Sequence, residues 1–410
     1  MVWLVIGMAL MRNRRIEEVV SKLDLALPVP SGKTIAPSSI PQAPKRLGED
    51  VMQWLFEKTG AVWAAEGADT RKWRGLSIYG TDGTDLRVPD SPENRQEFGG
   101  QKCSADKGES GYPMVRLLVL MALRSHVLAG AIMGGYEKTS EQAMFRELVA
   151  QIPDNSLTVL DRNFLSPLSL LPLQRGGTCR HWLTRLKSNT KYEVKEVLAD
   201  GDAIVTLKVT PEARKKDPTL PKLWTARAIQ YQRKGFKQQT LLTSLLDAAK
   251  YPAVELIEMY HERWELELGN DEIKTDMLQR EQAIRSKKPV SVRQEIWGVL
   301  LAYNLVRLEM ARVAEQVGVA PTRISFTLAM ALIVDEWLWS TVSVAPGAIP
   351  KHLVCLRQNL KRLILPERRR ARAYPRAVKV KMSNYKRKRP TAAVATASSA
   401  AAASPAAKKA

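Results

Sequence analysis

Short blocks of apolar residues alternate with polar segments through the first half of the chain, and they predict strands joined by turns. Residues 76–79 predict a strand, 80–84 a polar loop and 86–88 a second, alternating strand. We therefore interpret this segment as a hairpin in which Asp82 lies at the end of the first strand.

The blocks that follow predict strands interleaved with a helix. The apolar run 114–135, broken by a few charged residues, predicts two paired strands, and a capping box at 139–142 begins a helix that extends to residue 150. A short buried strand over 157–160 then ends at Asp161. Strands, helices and acidic residues at strand ends together predict a mixed α/β sheet.

The remaining segments differ in character from this core. Residues 180–252 contain alternating apolar patches and a charged loop at 214–217, which predict a largely β insertion. Helical periodicity predicts one buried helix over 2–23, a proline-rich linker to residue 45, and further helices over 51–65, 255–277, 292–317 and 326–338.

The composition is that of a folded, basic protein. The 410 residues include 63 Lys and Arg against 42 Asp and Glu, a formal charge of +21, and 45% are hydrophobic. This composition excludes a disordered chain and a disulfide scaffold, and the three cysteines offer no CxxC zinc pair. The apolar start of the chain is shorter than the ~20 residues that a membrane span needs, so we expect a cytoplasmic protein without a membrane partner.

More than half of the net positive charge lies in residues 366–410, which contain thirteen Lys and Arg and one Glu. Tyr374 and Tyr385 are interleaved with the basic residues, and the end is rich in Ala, Ser and Pro. One interpretation is a solvated, disordered terminus, and the other is an arm that contacts phosphates. We expect disorder in the free protein and phosphate contact in the bound one.

Nucleotide-binding and hydrolase motifs are absent from the sequence. There is no GxxxxGK[ST], GxGxxG, HExxH or GxSxG segment, and the four histidines are widely spaced. We therefore expect no nucleotide cofactor, and the remaining candidates for chemistry are carboxylates.

One polar helix face combines a carboxylate with two cations and a phenol. If a helix continues through the segment at about 100° per residue, four side chains project within an arc of roughly 60°. These are Tyr260, Arg263, Glu267 and Lys274. The simpler interpretation is a solvated face with an ion pair between Arg263 and Glu267. The alternative is a divalent metal held beside a phosphodiester.

The spacing Tyr260-x2-Arg263-x3-Glu267-x6-Lys274 matches the Tyr-Arg-Glu-Lys signature of bacterial insertion-sequence transposases of the DDE type, and the chain resembles their insertion element four family. Four fixed residues in fifteen positions form a specific signal. The resemblance covers roughly residues 2–389 and includes segments 82–90, 94–99, 161–164 and 293–305. Family members usually carry a further stretch before the first apolar helix, so we expect a shortened start.

The resemblance implies that Asp82, Asp161 and Glu267 are the catalytic triad and the metal ligands. Two Mg²⁺ ions are expected, with Mn²⁺ able to substitute, one activating water or a 3′ hydroxyl and one stabilising the leaving oxygen. The nearest alternative acids are Asp85, Asp90 and Asp271.

The resemblance also implies contacts with double-stranded DNA. Tyr260, Arg263 and Lys274 are expected to hold phosphates of the element ends, and Arg162, directly after the second acid, is a further candidate. The expected partners are the terminal inverted repeats, the target DNA and a second copy of the chain in a homodimer on DNA, at the bacterial nucleoid. Trp224 is interpreted as a core residue, the alternative being support for a flipped base.

The predicted fold class is α/β: an RNase H-like mixed sheet flanked by helices, interrupted by a largely β insertion, with helical N- and C-terminal regions. The predicted segments are a helical N-terminal region with its linker (1–70), the first part of the catalytic core (71–179), the insertion (180–252), the second part of the core with Glu267 (253–290), a C-terminal helical region (291–365) and the tail (366–410).

Three functional hypotheses are open at this point. The first is a DNA transposase that binds the terminal inverted repeats of an insertion sequence and performs metal-dependent strand cleavage and strand transfer. The second is a truncated or decayed copy that binds DNA ends as a non-catalytic regulator. The third is a nuclease of RNase H-like fold that never rejoins strands. The intact set of three acids favours the first.

Overall fold

A mixed sheet of nine strands organises the molecule. The computed structural model describes residues 1–23, 37–69, 71–101, 111–233, 235–279, 284–343 and 345–366. The strands are β1 (Ser77–Arg87), β2 (Met114–Ala122), β3 (Leu128–Gly135), β4 (Ser156–Leu160), β5 (Arg180–Arg185), β6 (Glu193–Ala199), β7 (Asp202–Lys208), β8 (Leu223–Tyr231) and β9 (Gln239–Thr243). They lie side by side in the order β3-β2-β1-β4-β5-β9-β8-β7-β6.

Helices cover both faces of this sheet. They are α1 (Val2–Leu10), α2 (Ile16–Lys22), α3 (Gln42–Leu47), α4 (Asp50–Asp69), α5 (Pro92–Phe98), α6 (Glu141–Leu148), α7 (Pro167–Arg175), α8 (Pro211–Lys216), α9 (Ala253–His261), α10 (Trp264–Asp271), α11 (Pro289–Val317), α12 (Phe326–Ser343) and α13 (Ile349–Leu360), with a π-helical segment, Glu272–Met277, after α10. All of these strands and helices belong to one unit.

The first five strands define the fold. β1, β4 and β5 are parallel, whereas β2 is antiparallel to β1 and β3 is antiparallel to β2. Strand order 3-2-1-4-5 with these directions is the RNase H-like arrangement. The predicted α/β, RNase H-like mixed sheet flanked by helices is confirmed.

The hairpin predicted near Asp82 is wrong. Residues 77–87 form the single strand β1, because β2 supplies antiparallel partners from Tyr79, opposite Ala122, to Arg87, opposite Met114. The polar segment 80–84 therefore does not turn, and Asp82 lies in the middle of the strand. The two strands predicted within 114–135 are confirmed as β2 and β3.

Alternate residues of β2 enter two different cores. Leu117, Val119 and Met121 pack into a core shared with α10 and α11. Leu118 and Leu120 pack into a second core shared with α6 and α7. Because both faces of the strand are covered, its sequence is apolar at nearly every position.

The β strands after β5 extend the core sheet. β9 pairs antiparallel with β5, and β8, β7 and β6 follow outward. β5 was assigned to the insertion, but it pairs in parallel with β4, with Arg180 opposite Ser156, and so belongs to the core. The predicted loop at 214–217 lies largely in α8 instead, since Thr210 caps that helix. Trp224 is 6% exposed and packs against Trp182, which supports its interpretation as a core residue.

Two predicted helix boundaries differ at the N-terminus and before α6. The single helix predicted over 2–23 is two helices, because the chain leaves helical geometry at Met11 and Arg12 is buried against Glu295 of α11 at 3.0 Å. The cap predicted at 139–142 lies one residue later, where Ser140 accepts a hydrogen bond from the Ala143 N–H. Most of the proline-rich linker and the tail from residue 367 lie outside the described residues. Among the helices that are described, none is long and apolar enough to span a membrane.

Candidate active site

Asp82 and Asp161 lie at neighbouring positions of the sheet. β1 and β4 pair in parallel, and their last pair is Thr81 opposite Leu160. Asp82 directly follows Thr81, and Asp161 directly follows Leu160. Adjacent strands are about 4.8 Å apart, so both carboxylates emerge where β4 ends. In open α/β sheets this carboxyl end of the parallel strands is where ligands bind.

The Asp82 carboxylate lies in a partly buried site among other charges. Its Oδ2 accepts a hydrogen bond from Asn270 Nδ2 at 3.3 Å. Burial raises the pKa of Asp82 to about 6, and the negative charges of Glu141 and Asp161 add to this rise while Arg263 opposes it. An ionised carboxylate in such a place is stabilised by additional positive charge.

Asp161 caps the turn that follows β4. Its Oδ1 accepts a hydrogen bond from the Arg162 backbone N–H at 2.5 Å, and its carbonyl oxygen accepts one from Thr184 Oγ1 at 3.2 Å. The residue predicted to contact DNA, Arg162, is exposed at the start of this turn. A cation at that position can reach a phosphate beside the second acid.

Glu267 is paired with Arg263. Arg263 Nη2 donates to Glu267 Oε1 at 3.0 Å, and the Glu267 side chain is 40% exposed. The pKa of Arg263 is raised. Burial alone would lower it, but interactions with Tyr260 and Asp161 and the hydrogen bond with Glu267 have the larger effect. The ion pair of the simpler interpretation therefore exists, and it is electrostatically coupled to the second acid.

The helix that carries the signature is interrupted. The segment predicted as one helix over 255–277 consists of α9, α10 and the π-helical segment, with a break between His261 and Trp264. The single 60° face expected from uninterrupted periodicity is therefore wrong. π-helical turns are frequent at functional sites, and this one carries Lys274.

Three of the signature side chains interact electrostatically with the two strand acids. Tyr260 is buried, which raises its pKa to about 12, with Asp161 adding to the rise and Arg263 opposing it. Burial lowers the pKa of Lys274 against the attraction of Asp85, Asp82 and Asp271. Tyr260 therefore interacts with the second acid, Lys274 with the first, and Arg263 with both.

The alternative acids have other partners. These are Arg116 at 3.3 Å for Asp85, Arg95 at 2.6 Å for Asp90, and Thr275 at 2.7 Å for Asp271.

Two of the three predicted metal ligands lie at adjacent positions of neighbouring strands. Carboxylate oxygens suit Mg²⁺ and Mn²⁺, and Asp82 and Asp161 present two of these groups at adjacent positions. Within the described ranges, no group of three or more His, Cys, Asp or Glu side chains is arranged to hold an ion. Glu267 is paired with Arg263 and would have to leave it to join the other acids.

Two residues beside Asp82 were not predicted from the sequence. Asn270 follows Glu267 by one helical turn, and that spacing could have indicated it. Glu141 belongs to α6 and accepts a hydrogen bond from Asn163 Nδ2 at 2.9 Å. Nothing in the local sequence around Glu141 signals that the tertiary structure brings it to β1.

The part of the chain that contains the candidate site matches a known protein family. The Transposase DDE domain matches residues 73–305, and the Insertion element 4 transposase N-terminal domain matches residues 1–57. The chain belongs to the insertion element 4 family of DDE transposases. The family predicted from the signature is confirmed.

Relatives of this transposase are found in Escherichia coli (strain K12). The transposase InsG for insertion sequence element IS4 is 38% identical over 386 residues, 94% of this chain and 86% of that protein. The protein InsZ is 36% identical over 197 residues, 48% of this chain and 64% of that protein. A cryo-EM structure of the piggyBac transposase synaptic complex with hairpin DNA aligns with a TM-score of 0.41 and 11% identity, over 89% of this chain and 75% of that one, and no inference rests on it.

Membership of the family determines the enzyme class. The transposase is a DNA-binding enzyme that cleaves and transfers DNA strands, as predicted. DDE transposases generally use divalent metal ions, which agrees with the oxygen ligands at the end of β4.

Proposed function

We propose that Asp82, Asp161 and Glu267 are the catalytic acids of this transposase and hold two Mg²⁺ ions, for which Mn²⁺ can substitute. The adjacency of Asp82 and Asp161, beside the ion pair of Arg263 and Glu267, is the observation that carries this proposal. When bound, such ions supply an activated water or 3′ hydroxyl and stabilise the leaving oxygen of a phosphodiester.

Arg263 connects DNA binding with the completion of this site. In the free protein its guanidinium holds Glu267 and lies in the field of Asp161. A DNA phosphate is a competing anion that accepts bidentate hydrogen bonds from arginine. As Arg263 moves to the phosphate, the Glu267 carboxylate is released toward the two strand acids.

Four residues contact the phosphates of the bound DNA. Tyr260 and Arg263 grip the strand near Asp161, Lys274 grips it near Asp82, and Arg162 contacts it from the turn after β4. The electrostatic interactions of Tyr260, Arg263 and Lys274 with the strand acids support this assignment. For Arg162 the support is its exposed position next to Asp161.

The DNA consists of the terminal inverted repeats of the element and the target, in the nucleoid of the bacterial cytoplasm. Two element ends must be brought together for transfer, so the active form is a homodimer on DNA. The catalytic core comprises 71–185 and 253–290, with 186–252 as the insertion, and 1–70 and 291–365 are the flanking helical regions.

A cleavage and joining assay tests the proposal. The purified transposase is incubated with a labelled duplex carrying the native element end and with supercoiled target, in Mg²⁺, Mn²⁺ or EDTA. Glu267→Ala is compared with Glu258→Ala, which removes an exposed glutamate of α9. We expect metal-dependent nicks and joined products that Glu267→Ala loses and Glu258→Ala keeps.

The other outcomes contradict the proposal in distinct ways. Binding of the end without cleavage in either metal would indicate a non-catalytic regulator. Cleavage without joined products would indicate a nuclease. Full activity of Glu267→Ala would remove Glu267 from the set of catalytic acids.

A further inference from the structure

A buried amide links the helix of the third acid to the strand of the first. Asn270 of α10 is 8% exposed, and its Nδ2 donates to Asp82 Oδ2 at 3.3 Å. Its Oδ1, on the same carbon, is buried and has no hydrogen-bond partner in the part of the chain that the structure describes. A buried acceptor without a donor is unfavourable, so the position of this oxygen beside the acids points to a partner that binds there.

Two glycines allow α10 to pack closely on the sheet. A Cβ atom on Gly80 of β1 would lie 2.9 Å from Leu266 Cδ1, and one on Gly269 would lie 2.3 Å from Met121 Cε. Neither position has room for a side chain unless its neighbour moves. This packing brings Asn270 to Asp82 and leaves the amide between two candidate metal ligands, Asp82 on the strand and Glu267 one turn earlier on the helix.

The amide can serve a hydrated cation with both of its polar atoms. Asp82, Asp161 and Glu141 already place negative charge here, so a neutral acceptor adds no further repulsion. Mg²⁺ usually keeps several of its water molecules when it binds to carboxylates. Those water molecules can donate hydrogen bonds, and among the described residues Asn270 Oδ1 has no donor.

We propose that Asn270 is a positioning residue of the metal site, whose Nδ2 orients the Asp82 carboxylate and whose Oδ1 accepts a hydrogen bond from a water molecule in the cation's hydration shell. This inference rests on the proposed metal role of Asp82 and Asp161. Groups that orient metal ligands typically change metal affinity by about 10–100-fold when they are removed.

Direct Mn²⁺ binding tests the inference without reference to activity. Electron paramagnetic resonance of free Mn²⁺ is measured during titration of the full chain, and thermal unfolding is followed in parallel. We expect Asn270→Ala to weaken Mn²⁺ binding about 10-fold. Asn270→Gln keeps both amide atoms, a donor and an acceptor, and is expected to bind Mn²⁺ more tightly than Asn270→Ala does.

Asn94→Ala is the matched control. Asn94 is also fully buried with an unpartnered Oδ1 among the described residues, but its Nδ2 donates to the backbone carbonyls of Pro89 at 3.1 Å and Ser286 at 3.2 Å. Its removal is expected to lower the unfolding temperature and to leave Mn²⁺ affinity unchanged.

The outcomes separate this inference from the proposed function. If wild type binds Mn²⁺, Asp82→Asn does not, and Asn270→Ala binds as wild type does, the inference is overturned and the acids keep their role. An equal loss in Asn94→Ala, or Mn²⁺ binding by Asn270→Gln that is no tighter than by Asn270→Ala, also overturns it. If Asp82→Asn binds Mn²⁺ as tightly as wild type, the proposed metal ligands are wrong.

Discussion

Asp82 and Asp161 stand side by side because Thr81 and Leu160, the residues before them, form the last pair of the parallel ladder between β1 and β4. β4 ends there, whereas β1 continues along β2. Two acids far apart in the sequence are thus brought together by the register of the sheet.

The Asp82→Asn substitution is expected to abolish DNA cleavage and to stabilise the metal-free protein. Burial raises the pKa of Asp82 to about 6, compared with about 3.9 in an unfolded chain. The ionised carboxylate therefore destabilises the folded state by roughly 2–3 kcal/mol above pH ~6, and the effect vanishes below pH ~4, where the group is protonated in both states. Urea unfolding in EDTA from about pH 8 to about pH 4 measures the difference.

The control for this prediction is Asp85→Asn on the same strand. Asp85 is paired with Arg116 at 3.3 Å, so its removal is expected to bring no gain in stability. A stability difference between Asp82→Asn and wild type that grows toward low pH would contradict the assigned sign.

Arg263→Ala is expected to reduce cleavage about 100-fold or more while changing the free energy of unfolding by about 1 kcal/mol or less. The guanidinium is proposed to act on DNA phosphate, whereas its ion pair with Glu267 is partly exposed and of the i,i+4 kind. Cleavage rates and urea unfolding of the same preparations provide the two values.

Arg14→Ala is the control, because Arg14 forms an exposed i,i+4 pair with Glu18 at 3.5 Å. It is expected to leave both values unchanged. Comparable cleavage by Arg263→Ala and wild type would exclude Arg263 from DNA contact.

Gly80→Ala is expected to lower the free energy of unfolding by about 1–3 kcal/mol and to impair cleavage. A methyl group there would lie 2.8 Å from Leu123 Cδ2 and 2.9 Å from Leu266 Cδ1, so the side chains of Leu123 and Leu266 must move. Gly347→Ala is the comparison, since a Cβ at Gly347 meets nothing within 4 Å. Equal stabilities and equal cleavage rates of the two variants would show that the α10 packing is not close.

Arg307→Ala is expected to destabilise the protein by about 3–5 kcal/mol. Arg307 is buried on α11 and donates to Glu272, the first residue of the π-helical segment, and to Tyr303. The charge of Arg307, with that of His126, outweighs burial and lowers the pKa of Glu272 to about 2. Removal of the arginine leaves a buried carboxylate without its main partner, and thermal or urea unfolding measures the loss.

Arg312→Ala on the same helix provides the comparison, because Arg312 forms a partly exposed pair with Glu309. It is expected to change stability by about 0.5 kcal/mol or less. If both variants lose a similar free energy of unfolding, the burial of the Arg307–Glu272 pair does not increase its contribution to stability.

The sequence pattern correctly predicted the strands and helices in which buried residues recur at regular positions. The strands β2 and β3 and the helix α11 were recognised because apolar residues report which positions face a core. The family was recognised from the spacing of Tyr260, Arg263, Glu267 and Lys274, which is a property of the sequence alone. The proposed acids were identified in the same way.

Two of the secondary-structure predictions that were wrong lie at the candidate site. The polar residues around Asp82 predicted a turn, yet they lie within a strand, because pairing with β2 outweighs their turn preference. The signature helix was predicted as continuous, but it is divided into α9, α10 and a π-helical segment. The π segment is stabilised by Glu272 and its partner Arg307, which lies 35 residues away.

The sequence by itself determined the family, the residue types of the site and most of the secondary structure, because these depend on local order and spacing. Only the tertiary structure decided that Asp82 meets Asp161, that Asn270 lies against Asp82 from 188 residues away, and that Glu267 is held by Arg263 apart from the other acids. Such contacts depend on strand register and helix packing over long separations, and neither leaves a periodic signal in the chain.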